Sequence, residues 1–454
     1  MSSLDATLAQ HAAGVRFEHL SPEAIEAAKI FLLDSIGVGV AGSSTPEVTP
    51  LLSAVSKWGE GANVTLWGRR AKLTASQAVL VNAYQVHCQE FDCLHEGAVL
   101  HAMATLLPVL LAEIQQMRSP VTGRALLTAL AAGVDVSCTI GMASKLGLRF
   151  FRPAASGGFG AVAGLAHLRG FNAATTLAAF GHQLAQVSGT MQAHTEGSVV
   201  LPLQIGVNAR AALQSCDLAQ SGFPSLQTPL TGRFGYLPMF ESEWDLETAM
   251  QGLGERWRLT ELSHKPYPSG RATHGGIEGV SILRQQANFA ASDVAEIVVR
   301  GPSLLNHLVN RPGLEKPTPN YARLCMPFVL AKVLQHGALD PMHFRGEALT
   351  DPATYALSLK IRMEKDDNPN PNALVPQHVT VKLNDGTVLQ HAIDAMLASP
   401  KRPLSREAQL SKFHRCWALS AEPMGSPEPL IAGVESLEHC SDVGQLISFL
   451  SPTA

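Results

Sequence analysis

Apolar side chains recur three and four residues apart through the first half of the chain, the period of a helix with one buried face. The pattern is clearest after Ser21, a serine in N-cap position followed by Pro22 at the first helical position and by Ile25, Ala28, Leu32 and Ile36, with Gly37 as the expected stop. Similar segments follow at 74–89, 101–116, 124–144, 154–168, 173–187 and 203–221. Pro108 falls inside one of them and predicts a kink, while Gly157, Gly158, Gly160 and Gly164 lighten the next, which suits close backbone approach. Past about residue 260 the period changes to alternating or β-branched runs at 295–300, 357–363 and 378–383, and Asn384-Asp385-Gly386 supplies a hairpin turn into 387–391. Helical spacing returns at 406–413 and 443–450. The expected fold is mainly α: a helical domain over 1–260, a smaller α+β domain over 261–395, and a C-terminal segment over 396–454 that returns to the helical domain.

Composition supports a large core and narrows the partners. Of 454 residues, 46% are apolar and 16% charged, and 34 basic against 38 acidic residues leave a net charge of -4 with no long run of either sign. That balance speaks against nucleic acid and anionic membranes as partners. The segment 1–11 lacks the basic-then-apolar order of a secretory signal, and no uninterrupted apolar run approaches the roughly 20 residues of a membrane span. A cytoplasmic protein is expected. Its seven scattered cysteines contain no C-x-x-C pair, so they are read as reduced thiols, mostly small core residues.

The densest polar cluster runs from His87 through Cys88, Gln89, Glu90, Asp92, Cys93 and His95 to Glu96, with His101 where the next apolar helix begins. A metal site on His87, Asp92, Cys93 or His95 would match no established zinc spacing, and none is assigned. General acid–base chemistry is the alternative: a neutral histidine moves a proton while a carboxylate fixes its tautomer, and His101 with Asp92 is the pair chosen. Each histidine alone also fits a hydrogen-bonded structural residue, and Asp92 also fits an N-cap. A second constellation, His264-Lys265-Pro266-Tyr267-Pro268-Ser269-Gly270-Arg271-Ala272-Thr273-His274, places two cations and two imidazoles on a stiff loop, where Lys265 offers a point charge and Arg271 a planar fork for a carboxylate. A solvated basic loop before a helix is the competing interpretation. Arg152 before the glycine-rich helix and the polar stretch 192–198 are weaker candidates. Neither nucleotide-binding nor serine-hydrolase motifs occur, so no cofactor is indicated.

Together these segments resemble the MmgE/PrpD family over nearly the whole chain. The resemblance rests on His87 to Asp92 with His101, on Arg152-Pro153 leading into Gly157-Gly158-Phe159-Gly160-Ala161, on Gln204-Ile205-Gly206-Val207-Asn208-Ala209-Arg210, and on the Lys265 to His274 loop. It implies a large helical domain completed by the C-terminal tail, an α+β lid, an active site in the cleft between them, a homodimer, and cofactor-free proton transfer beside a carboxylate. Asp92 and His101 correspond to the family's active-site Asp and His, and Lys265 and His274 to its lid residues. Cys93, Ala102, Met103, Arg152, Leu201, Gln204 and Phe328 depart from the family pattern, with Leu201 standing for a frequent Lys, Gln204 for a His and Phe328 for a Tyr. A more apolar pocket with rearranged charge follows. The implied activity is a cofactor-independent lyase of the dehydratase type acting on a small di- or tricarboxylic acid; epimerisation, decarboxylation and a non-catalytic binding role stay open. In that scheme His101 or His274 is the base, Asp92 and Lys265 assist, and Arg152, Arg271, His95 and Gln204 bind substrate.

Overall fold

A computed structural model describes residues 3–453. Ser21 caps the Pro22–Gly42 helix by accepting from the Ala24 amide, but the helix runs through Gly37 instead of ending there. The reason is packing: a side chain at Gly37 would meet the Phe413 ring at 2.7 Å and one at Gly39 the Trp67 ring at 2.6 Å, so these glycines admit neighbours and do not stop the helix. Thr74 and Gln77 form a capping box at the start of the Ala75–His87 helix. Helices Ala102–Gln116, Gly123–Ala143, Arg152–Leu168, Ala173–Leu184 and Val200–Gln220 follow. The glycine-rich helix packs tightly, and a Cβ at Gly160 would lie 2.5 Å from the Gly133 carbonyl oxygen.

Among the described residues one helix, Gly123–Ala143, is long and apolar enough by composition to cross a membrane, although its sequence is not an uninterrupted apolar run; it is mostly buried inside the protein. Its Asp135 accepts from the Arg258 amide at 2.8 Å and pairs with His11 at 3.1 Å.

The fold is mainly α. Its largest sheet has four strands in the order Ile361–Lys365, Val294–Gly301, Gln377–Leu383, Val388–Ile393, the first pair parallel and the others antiparallel. The run at 357–363 divides into the end of the Pro352–Ser358 helix and the start of a strand. Two apolar cores result. One includes Leu8 through Leu262 and takes in Phe413, Trp417, Leu430, Val434, Leu437 and Leu450 from the C-terminal segment; the other spans Ala272 to Met396 with Val99. The two meet at a short antiparallel pairing of Leu94 with Ser263 and His95 with Leu262, which pins the 87–101 cluster against the start of the 264–274 loop.

Candidate active site

Asp92 is fully buried and accepts from two imidazoles. His101 donates from Nδ1 to Oδ2 at 2.9 Å, and His87 from Nδ1 to both carboxylate oxygens at 3.1 and 3.2 Å. A carboxylate only accepts, so both rings carry hydrogen on Nδ1. His87 Nε2 faces Glu90 Oε1 at 3.5 Å, whereas among the described residues His101 Nε2 has no hydrogen-bond partner and His101 forms part of a cavity wall. Burial opposes ionisation of Asp92, yet His101 and His87 outweigh it and hold the carboxyl well below its ordinary range. His101 is pushed down by burial and by Lys265 against the pull of Asp92. Burial also weighs against a charged His87, but Asp92 and Glu90 overcome it and raise that ring's pKa. One carboxylate thus orients a neutral imidazole whose second nitrogen is free to exchange a proton.

The cavity is lined by residues of both cores, among them Phe151 and Leu201 of the first and Val99 and Val309 of the second. Val99, Leu148, Phe151, Leu201, Leu308 and Leu374 contribute apolar wall; His101, Glu90, Glu96, His194 and Arg271 contribute polar groups. Arg271 on the wall and Lys265, which is not part of the wall, already face acids. Lys265, fully buried, donates to Glu90 Oε2 at 2.8 Å, and Arg271 Nε donates to Glu96 Oε1 at 2.9 Å. Burial would raise the Glu90 carboxyl, but Lys265, then His87 and His101, bring it down to about 2. Glu90 sits at φ +52°, a left-handed conformation that costs a non-glycine residue energy and here turns the chain between His87 and Asp92.

His87, Asp92 and His101 also offer ligand atoms within 4.8 Å of one another. Spacings of 2.9 to 3.2 Å between ring nitrogen and carboxylate oxygen are those of N–H···O bonds, so the set is organised around protons.

The other predicted residues are placed differently. His274 is buried beside the loop: Nδ1 accepts from Arg271 Nη1 at 3.3 Å and Nε2 donates to the Ser269 carbonyl at 3.2 Å. Burial and the Arg271 charge hold it well below the ordinary histidine value. With both nitrogens engaged by protein, it is outside the cavity wall. Arg152 is likewise absent from that wall; it donates to Glu241 at 3.0 Å, to Ser144 Oγ at 2.9 Å and to the Ala98 carbonyl at 3.3 Å, an internal clamp. His95 donates to Glu261 at 2.7 Å and accepts from the Ala98 amide at 3.0 Å. Gln204 bonds both the amide and the carbonyl of Thr190. Leu201 does line the cavity, and Phe328 instead packs against Phe344 at 5.8 Å.

Glu90, Glu96, His87 and His194 were not chosen from the sequence. Their signal was available for the first three, which lie inside the 87–96 cluster; His194 gave none beyond its polar loop. Burial and the Arg311 guanidinium press His194 down to about 3.

The MmgE/PrpD N-terminal domain matches residues 6–249 and the MmgE/PrpD C-terminal domain residues 267–424. Cis-aconitate decarboxylase of Mus musculus is 26% identical across 96% of this chain and 91% of its own length. The Homo sapiens protein of the same name is 25% identical across 100% and 96%, and that of Aspergillus terreus 22% across 99% and 96%.

Proposed function

The chain belongs to the MmgE/PrpD family of enzymes, and from that premise we propose that it is a cofactor-independent lyase that decarboxylates a small unsaturated tricarboxylic acid of the cis-aconitate type. The observation that carries the proposal is the buried His101–Asp92 pair opening onto a cavity with an apolar wall. Loss of carbon dioxide turns a charged carboxylate into a neutral molecule. A wall of Val99, Leu148, Phe151 and Leu201 disfavours the charged starting group and accommodates the neutral one. The electron pair left by the broken carbon–carbon bond spreads over the adjoining double bond and its carboxylate. His101 Nε2, protonated at that stage and steadied by Asp92, then delivers a proton to carbon. Arg271, on the cavity wall, offers positive charge to a remaining carboxylate, for which the substrate competes with Glu96, while Lys265, buried and not part of the wall, balances the charge of Glu90.

A second reading, dehydration, is favoured by one feature: the depressed pKa of His101 makes it a base near neutral pH. There it removes a proton beside a carboxylate and, as the imidazolium steadied by Asp92, returns that proton to the departing hydroxyl, which leaves as water. Both reactions use the same ring nitrogen in opposite protonation states.

The deciding experiment incubates the purified protein with cis-aconitate in deuterated water and follows the mixture by NMR. A dicarboxylate carrying one deuterium on carbon, formed with carbon dioxide, is expected. Hydrated tricarboxylate without carbon dioxide would replace the first reading with the second, and neither product with folded protein would overturn both. We also propose a cytoplasmic homodimer; exposed Phe223, Leu226, Phe234 and Met239, close together in sequence, support a self-association surface. Light scattering at twice the chain mass would agree with it, and a monomer would not.

A further inference from the structure

The Ala75–His87 helix ends in the Cys88–Gln89 turn, and two arginines from the 261–395 region hold that turn. Arg323, only 3% exposed, donates from Nη1 to the Cys88 carbonyl at 3.3 Å and lies over the Phe344 ring at 5.1 Å. Arg345 donates from Nη1 to Ser44 Oγ at 3.1 Å and from Nη2 to Gln89 Oε1 at 3.4 Å. What this cluster lacks is an acid. Lys265, Arg271 and Arg152 each face a carboxylate within 3.0 Å, but among the described residues neither Arg323 nor Arg345 forms an ion pair. Glu47 and Glu90 act on them only at longer range, Glu90 is taken by Lys265, and Asp340 is taken by Arg415.

Three buried donors around the same turn are left without an acceptor: Arg323 Nε, Arg345 Nε and Gln89 Nε2. A buried guanidinium such as that of Arg323 is costly without counter-charge, and the half-buried Arg345 repels it further. An oxyanion bound at this turn would bring acceptor oxygens to these donors and counter-charge to the pair. We propose that Gln89, Arg323 and Arg345 form a binding site for a small oxyanion, a phosphate or a carboxylate, at the seam between the two domains. None of the three lines the cavity at His101, yet Gln89 is followed directly by Glu90, which does and which holds Lys265. An anion here stiffens the turn that positions the catalytic charges.

Isothermal titration of the full chain with inorganic phosphate, then with citrate, tests this without turnover, so its outcome is independent of the lyase proposal. Saturable phosphate binding is expected in wild type and in His101→Asn, with affinity at least about 10-fold weaker in Arg345→Gln, the loss of one charge-assisted bond. Gln89→Leu serves as a second variant, since Arg345→Gln could perturb folding, and circular dichroism checks both. Citrate that displaces phosphate assigns the site to carboxylates; citrate that does not assigns it to phosphate. No saturable binding of either probe by wild type, or equal phosphate affinity in wild type and both folded variants, overturns the site and leaves an adventitious ion only.

Discussion

His101 and His274 are both buried imidazoles, one on the cavity wall and the other in contact with Arg271 of that wall, and their surroundings give them opposite capacities. His101 gives one N–H to a carboxylate and keeps its other nitrogen for the cavity; His274 has a guanidinium on one nitrogen, a backbone carbonyl on the other and no carboxylate. Both are held below the ordinary histidine value. For His101, Asp92 pulls against that shift and can stabilise the imidazolium when it forms, whereas for His274 the adjacent Arg271 makes the imidazolium harder to form. Two histidines with similar exposure therefore differ by their partners, and only one is equipped to accept and return a proton.

The largest effect is expected where this difference is erased. Asp92→Asn leaves His101 without its anionic partner, and kcat should fall about 10²- to 10⁴-fold with the fold intact by circular dichroism; a loss under tenfold would mean the carboxylate is structural. Arg271→Gln removes a cavity cation and a partner of His274 together. We expect KM to rise about 10- to 100-fold, from a charge-assisted bond of roughly 1.5–3 kcal/mol, with a smaller change in kcat. Collapse of kcat instead would return His274 to the chemistry.

The pH profile gives a change of about tenfold per pH unit, and its sign separates the two reactions. His101 titrates below its ordinary value of 6.5. If its protonated form delivers a proton in decarboxylation, kcat/KM falls as pH rises through that depressed value. If its neutral form removes a proton in dehydration, kcat/KM falls as pH drops through it. The smallest effect expected is none: EDTA should leave turnover unchanged, and a loss restored by a divalent ion would convert the His87, Asp92, His101 cluster into a metal site.

Much of the fold could be read from local signals because those signals are local in cause. The Ser21 cap, the Thr74–Gln77 capping box and the Asn384-Asp385-Gly386 turn each involve residues within a few positions, and Gly386 takes the positive φ its turn requires. Gly37 misled because its role depends on Phe413, hundreds of residues away. The candidate site divides the same way. His101 and Asp92 lie nine residues apart, and the loop between them brings them together. Arg152 looked like a free cation because Glu241, 89 positions later, could not be seen from its neighbours. His274 looked like a base because nothing in a sequence reveals that the Ser269 carbonyl will occupy its second nitrogen. Glu90 was passed over as one acid among several, although it lines the cavity and its reach to Lys265, 175 positions on, makes it the counter-charge of a fully buried cation.

The most direct test compares His101→Asn with His274→Asn by following cis-aconitate consumption and deuterium incorporation in the NMR experiment, with both variants verified as folded. The account predicts that His101→Asn loses at least about 10²-fold in rate while His274→Asn stays within about tenfold of wild type. Full turnover by His101→Asn, or the larger loss in His274→Asn, would contradict it.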